Sequence, residues 1–230
     1  MALIRYTQEC IDAAEGRWPG SGLDWNQTGL IDPGGAKDKR PRPVQIRVAE
    51  HWFVENVMGK AHPITPIVWF GPFIAYGLYR VATSPLSALA SVGLFVLGWL
   101  VISLVEYCVH RFLFHWRPKT REGLLTLFLL HGYHHEFPND AMRLVAPPFM
   151  SWPFALVLGP LSWLAFGAAG WAQCFAGLCA GYVAYDWIHY YAHHFRPKNP
   201  IGKFLRDYHL QHHFDHTPGR FGVISPLWDL

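Results

Sequence analysis

Residues 86–107 form a long apolar segment in which Glu106 is the only charged residue. A helix rises about 1.5 Å per residue, so a segment of this length crosses a hydrocarbon core of about 30 Å. At that depth every backbone polar group must be hydrogen-bonded within the protein, which restricts such a segment to a helix or a closed barrel. Only 15% of the chain is charged, against about 25% in soluble domains. We therefore predict an integral membrane protein.

Three further apolar segments accompany this one and pair into hairpins. The four segments are residues 66–82, 86–107, 152–166 and 171–188. Uncharged turns at residues 83–85 and 167–170 connect the members of each pair. The pattern predicts an all-α protein with four apolar helices in two hairpins. The arms of the second hairpin are short, so hydropathy alone allows either a full crossing or a re-entrant hairpin.

The first 62 residues differ in composition from the rest of the chain. They are polar and rich in Gly, Pro and charge, which is typical of a loop or a weakly ordered tail. We therefore divide the chain into a polar N-terminal segment, residues 1–62, and a membrane-embedded domain, residues 63–230.

The distribution of basic residues predicts the orientation in the membrane. Of the 19 Lys and Arg residues, Arg80 alone lies near the opposite end of a span. By the positive-inside rule, both termini and the central stretch around residues 110–150 are expected in the cytoplasm. The formal net charge of +3 is small, and the basic residues are interspersed with carboxylates. Nucleic acid is therefore an unfavoured partner.

Four histidine-rich stretches, HRFLFH, HGYHH, HYYAHH and HLQHH, all lie on the predicted cytoplasmic side. The two HxxHH triples place imidazoles at i, i+3 and i+4, on one helical face, so each triple is expected to close around a metal. The other two stretches contribute histidine pairs at the ends of apolar segments. The candidate ligands are His110, His115, His131, His134, His135, His189, His193, His209, His212 and His213.

A single pair of histidines at i and i+4 arises by chance in many proteins, but ten on one side of a membrane protein are different. Packed imidazoles repel one another once protonated, unless a metal holds them neutral. Ten ligands exceed the six positions of one octahedral ion, so the count predicts two ions. Thiolate sites are not expected, because the four cysteines show no CxxC spacing. Nitrogen ligation suits iron, zinc or copper.

Two carboxylates lie one helical turn before candidate ligands. Glu106 precedes His110 by four residues, and Asp186 precedes His189 by three. Each is positioned to accept an imidazole N–H and to fix the tautomer of its histidine. His51, His62, His194 and His216 fall outside the repeating pattern and are assigned no ligand role.

Several stretches extend the likeness beyond the histidines: HGYHHEFPNDAMRLVAPP, GYVAYDWIHYYAHH, HLQHHFDH and FGVISPLWD. On these the chain resembles the fatty acid hydroxylase superfamily, and within it the fatty acid 2-hydroxylases. The resemblance implies that the ten histidines hold two iron ions and that no catalytic residue acts beyond the metal centre. It implies dioxygen-dependent hydroxylation, by a monooxygenase, at the second carbon of a long acyl chain carried as a free acid, a thioester or a sphingolipid.

The resemblance also bears on electron supply and location. Relatives with a fused cytochrome b5 domain carry an HPGG motif, whereas residues 32–35 here read DPGG and residues 1–50 contain no histidine. We therefore expect a separate donor of the cytochrome b5 or ferredoxin type. Zinc can replace iron in purified protein, because it binds such nitrogen sites at least as well as ferrous iron. The expected location is the endoplasmic reticulum in a eukaryote or the inner membrane in a bacterium.

Two alternatives remain open at this point. The first is another enzyme of the same superfamily, a sterol desaturase or oxidase or a carotenoid hydroxylase, with the same metal site and a different cavity. The second is a non-catalytic membrane protein that binds or transports metal. A transport pathway places ligands within the bilayer or on both faces, whereas all the clusters here lie on one predicted side.

Overall fold

A computed structural model describes residues 4–17, 23–24, 30–31, 45–116, 118–215 and 219–230. His216 and the DPGG stretch lie outside these residues. The regular secondary structure of the described part is helical apart from one antiparallel pair of two-residue strands, β1 (Leu23–Asp24) and β2 (Leu30–Ile31), and one isolated bridge between Tyr6 and Ala49. The helices are α1 (Gln8–Ala14), α2 (Thr65–Thr83), α3 (Ala88–Cys108), α4 (Arg121–Leu127), α5 (Tyr133–Glu136), α6 (Pro148–His194) and α7 (Pro200–Phe214).

Two helical stretches in the described part of the chain are long and apolar enough to cross a membrane. They are Ala88–Phe114, which extends α3, and Pro148–His194, which is α6. Only 22% and 11% of their most apolar windows are buried inside the protein. The core helix of a soluble protein is buried, whereas a helix with an apolar exposed surface is suited to lipid contact. The prediction of membrane-spanning helices is thereby supported for these two.

Helix α6 consists of two arms that turn at Gly167, where φ is 57° and ψ is −168°. Only glycine adopts this backbone conformation readily, so the turn depends on the missing side chain. The rings of Trp163 and Trp171, on opposite sides of this turn, lie 5.5 Å apart, which indicates that the two arms run antiparallel. Ala155 and Leu158 of the first arm likewise pack against the core around Phe175 in the second. Within α6, the two arms therefore form an antiparallel pair of helices.

The second arm of α6 packs between α2 and α3 through small residues. A Cβ atom added to Gly77 of α2 would lie 2.5 Å from the carbonyl oxygen of Ala172. One added to Gly98 of α3 would lie 2.0 Å from the carbonyl oxygen of Cys174. Such backbone contact is typical of membrane helices, where small residues allow close packing. These contacts fix the position of the end of α6, which carries His189 and His193.

The N-terminal segment is more ordered than its composition predicts. Helix α1 buries Cys10, Ala13 and Ala14 at i, i+3 and i+4, and these residues pack in one core with Phe128 and Tyr133. Burial raises the pKa of the Cys10 thiol to about 12, as expected for a cysteine that serves as a small apolar side chain. Part of residues 1–62 therefore contacts the helices that carry the central histidines.

Candidate metal centre

His110 and His115 lie on a turn wider than an α-helix. Helix α3 continues as a π-helix over Val109–Phe114, and His115 follows directly. In an α-helix, positions i and i+5 point about 140° apart. A π-helix forms i to i+5 hydrogen bonds, which bring residues with this spacing close to one another. The wider turn therefore directs both imidazoles to the same place. A second π-helix, Phe128–Gly132, carries His131.

The structure brings together all ten histidines predicted as ligands, in two groups of five. The first group is His110, His115, His131, His135 and His212, and the second group is His134, His189, His193, His209 and His213. Within each group, one ring nitrogen from every histidine lies within 4.8 Å of the others.

Each HxxHH triple is divided between the two groups, contrary to the expectation that a triple closes around a single metal. His131 and His135 belong to the first group, whereas His134 belongs to the second. Residues at i and i+4 are separated by about 40° around a helix, while i+3 lies about 60° to the other side of i. The helix geometry therefore sends the middle histidine to the neighbouring group. In the other triple, His209 and His213 belong to the second group and His212 belongs to the first.

Close contacts between ring nitrogens in the second group indicate a shared cation. His134 Nε2 lies 2.8 Å from His189 Nε2 and 2.9 Å from His213 Nε2. His209 Nε2 lies 2.8 Å from His193 Nε2 and 3.0 Å from His213 Nε2. A ring nitrogen of neutral imidazole carries one proton or one lone pair, so it cannot form good hydrogen bonds to two such neighbours. A metal ion accepts all five lone pairs at once.

The same nitrogen spacing fits metal coordination at right angles. With metal–nitrogen bonds of about 2.0–2.1 Å, two ligands at 90° lie about 2.9 Å apart, and two at the tetrahedral angle about 3.3–3.4 Å apart. In the first group, His131 Nε2 lies 3.0 Å from His110 Nε2 and 2.8 Å from His135 Nε2. The residues present therefore fit ions with five or six ligands, and each group supplies five nitrogens.

The electrostatics of the site keep the imidazoles neutral. Burial lowers the pKa of His131, His134, His135 and His213 well below its usual value, and the neighbouring imidazoles lower each pKa further. Burial also lowers the pKa of His212, to about 4. Neutral imidazole is the form that offers a lone pair to a metal. At neutral pH the imidazoles therefore carry no positive charge, and each can offer a lone pair to a metal ion.

Backbone carbonyls fix the orientation of two ligands in the first group. His110 Nδ1 lies 2.5 Å from the carbonyl oxygen of Phe221, and His212 Nδ1 lies 2.9 Å from that of Gly219. A carbonyl accepts only, so each Nδ1 carries the proton and each Nε2 keeps its lone pair. In the sequence, this loop was marked only by the resemblance of FGVISPLWD to the family. That resemblance did not predict that its backbone carbonyls orient metal ligands.

The two carboxylates predicted to fix the histidine tautomers have other partners. Glu106 Oε1 lies 4.0 Å from His110 Nδ1, too far for a hydrogen bond, and accepts the backbone N–H of Val223. Asp186 Oδ1 accepts the backbone N–H of Ala146 at 3.4 Å. His189 Nδ1 has no hydrogen-bond partner among the described residues. The structure therefore corrects both assignments, because the imidazoles turn toward each other and not along their own helix.

The histidines left outside the pattern lie outside both groups where they are described. The side chains of His51 and His62 are exposed, and His62 Nδ1 accepts the backbone N–H of Ile64. His194 is half-buried, and its ring lies 4.5 Å from that of Tyr190. His194 thus follows the ligand His193 in sequence but belongs to neither group.

A cavity of about 350 Å³ reaches the centre, with His131, His134 and His189 in its wall. Its lining is mainly apolar and includes Ile102 of α3 and Phe154 of α6. The volume lies at the lower end of the range for small-molecule sites. The cavity therefore places an apolar space directly beside the histidine groups.

On the two helical turns before His189, the cavity wall contains two buried polar side chains, Tyr182 and Asp186. The side chains of Tyr182 and Asp186 are buried and interact with each other, while the Tyr182 hydroxyl and Asp186 Oδ2 form no hydrogen bond of standard length and angle among the described residues. Both residues line the cavity. A buried polar group left unpaired costs about 1–3 kcal/mol, so a ligand that pairs with it gains binding free energy. These atoms are suited to hold the polar part of a largely apolar molecule.

Arg143 also lines the cavity but is committed to internal partners. Its guanidinium pairs with the buried carboxylate of Glu55, lies 3.5 Å from Asp140 Oδ2 and stacks over the ring of Tyr133. Glu55 in turn accepts the backbone N–H of Val48 at 2.9 Å. This network connects the N-terminal segment to the residue before His134 and leaves Arg143 with a structural role.

Comparisons with known proteins agree with this geometry. Residues 95–230 match the family model described as fatty acid hydroxylase. The chain is 40% identical to the dihydroceramide fatty acyl 2-hydroxylase FAH2 of Arabidopsis thaliana, over 71% of this chain and 69% of that protein. It is 33% identical to the fatty acid 2-hydroxylase of Homo sapiens, over 98% and 69%. A solved structure, full-length scs7p with only the hydroxylase domain visible, superposes with a TM-score of 0.66 at 34% identity, covering 83% of this chain and 73% of that one.

Proposed function

This chain belongs to the fatty acid hydroxylase family, and from that membership we propose that it hydroxylates the second carbon of a long fatty-acyl chain with dioxygen. The observation that carries the proposal is that histidines of both groups lie in the wall of an apolar cavity. Redox chemistry at a lipid C–H bond needs a metal and a dry channel to it, and this arrangement offers a place for both.

We propose two iron ions as the cofactors, one held by each histidine group, and no other catalytic residue. Iron supplies the redox chemistry with dioxygen that the cleavage of an unactivated C–H bond needs, which zinc lacks. The five nitrogens of each group support this assignment, and so does the absence of charged ligands among its members. The role of the chain is to hold the ions, to keep the imidazoles neutral and to exclude water.

The polar groups beside His189 support reaction next to the head of the lipid. The second carbon of an acyl chain is bonded to the carbonyl carbon, so the polar head must lie close to the metals. Tyr182 is placed to donate its hydroxyl proton to the acyl carbonyl oxygen, and Asp186 Oδ2 is placed to accept an N–H or O–H of the head. The apolar part of the cavity would then hold the chain. Free acid, thioester and sphingolipid forms of the substrate all fit this outline.

We propose that residues 63–230 form the membrane-embedded domain, with α2, α3 and the two arms of α6 as four helices in two hairpins. The spacing of the turns and the antiparallel packing of the α6 arms support this arrangement. The basic residues around the histidine stretches support a cytoplasmic cap that holds the metal site, with both termini on the same side. The proposed location is the endoplasmic reticulum if the chain is eukaryotic and the inner membrane if it is bacterial.

The reaction needs two electrons for each dioxygen, and we propose that a separate protein of the cytochrome b5 or ferredoxin type supplies them. The histidine ligands are not redox groups, so the electrons would have to reach the metal ions from outside the site. A donor that docks on the cytoplasmic face would reach the histidine groups without crossing the membrane.

Expression of the chain in cells that lack the activity tests the proposed function. We expect mass spectrometry of total lipids to detect 2-hydroxylated acyl chains that are absent from cells carrying the empty vector. Analysis of intact lipids would identify the form that is modified. Cells that accumulate a hydroxylated carotenoid or a modified sterol, without 2-hydroxy acyl chains, would contradict the proposed substrate and favour another member of the superfamily.

A further inference from the structure

We propose that Asp229 is a positioning residue for the first histidine group, acting through the loop of residues 219–229. The inference rests on the proposed metal site. Asp229 touches none of the ten histidines in the contacts described, and the sequence patterns that identify the ligands give it no role. Its carboxylate fixes the backbone whose carbonyls orient His110 and His212.

The carboxylate of Asp229 holds the loop through three hydrogen bonds. Asp229 Oδ1 accepts the backbone N–H of Phe221 at 2.9 Å, and Oδ2 accepts that of Gly222 at 2.9 Å. Oδ2 also accepts the hydroxyl proton of Tyr208, on α7, at 3.0 Å. Hydrogen bonds to a charged acceptor are about twice as strong as neutral ones. One side chain thereby closes the loop on itself and ties it to the helix that carries His212.

The loop has a backbone that does not hold its shape unaided. Arg220 has φ of 58°, in the left-handed region that residues other than glycine rarely adopt. A Cβ atom added to Gly222 would lie 2.2 Å from the carbonyl oxygen of Ser225, so the turn there is tight. Such conformations cost about 1–3 kcal/mol and persist only where surrounding contacts enforce them. Asp229 supplies contacts on both sides of Phe221, whose carbonyl meets His110.

Further contacts fix the loop to the helix that carries His110. The backbone N–H of Val223 donates to Glu106 Oε1 at 3.2 Å, and Trp228 Nε1 donates to Ser103 Oγ at 3.0 Å. Glu106 and Ser103 both lie on α3. The loop therefore bridges α3 and α7 at the level of the first histidine group, and Asp229 is the side chain that connects the two attachments.

The loop acts on one group only. His110 and His212, whose Nδ1 atoms meet its carbonyls, both belong to the first group. In the second group, Nδ1 of His134, His189, His209 and His213 has no hydrogen-bond partner among the described residues. Loss of Asp229 would free the Phe221 carbonyl, and His110 would then lose the contact that fixes its tautomer. The expected consequence is weaker metal binding in the first group and unchanged binding in the second.

Metal titration of the full-length chain tests this inference without an activity assay. Protein stripped with a chelator would be titrated with Co²⁺, with absorption spectra recorded and bound metal measured after dialysis. For D229A we expect one of two Co²⁺ ions to bind about 10–100-fold more weakly, the usual effect of losing a group that orients a ligand. Tyr208→Phe removes one of the three contacts, so we expect a smaller weakening at the same site.

Asp207→Ala is the matched control, because Asp207 lies on α7 beside Tyr208 and its side chain is 65% exposed. We expect this variant to bind two ions as the wild type does. The inference would be overturned if D229A bound both ions as tightly as the wild type does. It would also be overturned if Tyr208→Phe weakened both metal sites to the same extent. Wild type that binds two ions but makes no 2-hydroxy lipid would contradict the proposed function alone.

Discussion

Replacing His212 or His189 with alanine is expected to abolish the 2-hydroxylated lipid while folded protein remains. His212 belongs to the first histidine group and His189 to the second, so each variant removes one of five nitrogens from a different proposed metal site. Loss of a group that merely orients a ligand costs about 10–100-fold in affinity or activity, and loss of the ligand itself should cost at least the upper end of that range. The measurement is mass spectrometry of acyl chains at matched membrane abundance.

His194→Ala is the control for this pair. His194 is adjacent to His193 on α6, is half-buried and belongs to neither group. Its replacement removes the same atoms from the same helix end, so a general loss of helix packing would affect it as well. We expect it to retain substantial activity. Activity in the His212 and His189 variants equal to that of the wild type would refute the ligand assignment, and equal loss in all three would point to a structural cause.

Gly98→Ala is expected to destabilise the membrane helices, although alanine favours a helix over glycine by about 1 kcal/mol. The added Cβ would lie 2.0 Å from the carbonyl oxygen of Cys174, so α3 and α6 must move apart. Overpacking of a well-packed contact typically costs about 1–3 kcal/mol, and here the obstructing atom is backbone and cannot rotate away. We expect a lower yield and a lower melting temperature in detergent, measured by size-exclusion chromatography after heating.

Gly93→Ala provides the matched control on the same helix. A Cβ atom at Gly93 meets no atom within 4 Å, so only the helix propensity changes. We expect the stability of this variant to equal or exceed that of the wild type. The two variants make the same chemical change with opposite expected signs. A Gly98→Ala protein as stable as Gly93→Ala would contradict the close packing of α3 on α6.

The sequence predicts the set of clustered histidines well, because a metal site leaves a dense pattern in few residue types. Its division into two groups follows from helix geometry, since the i+3 residue of each HxxHH triple points away from the i and i+4 pair. The convergence of His110 and His115 is different. An i+5 spacing on an α-helix separates the two side chains. The π-helix that brings them together cannot be predicted from the residues HRFLFH.

The contacts that orient the ligands were less accessible from the sequence. Glu106 and Asp186 are near their histidines in sequence, yet the imidazole of His110 meets a carbonyl more than a hundred residues away. Backbone carbonyls belong to every residue, so a sequence does not mark the one that is used. The N-terminal helix α1 was missed for a related reason. It buries small residues, Cys10, Ala13 and Ala14, in a composition that otherwise reads as polar.

The central claim is that the chain, with two metal ions held by these histidines, hydroxylates an acyl chain with dioxygen, and isotope labelling tests it most directly. Purified protein loaded with iron would be supplied with a reduced donor protein, an acyl lipid and ¹⁸O₂. We predict a 2-hydroxy product in which the new hydroxyl contains ¹⁸O, with about two irons bound per chain. A product whose hydroxyl oxygen comes from water, or equal activity after the metals are removed with a chelator, would contradict the account.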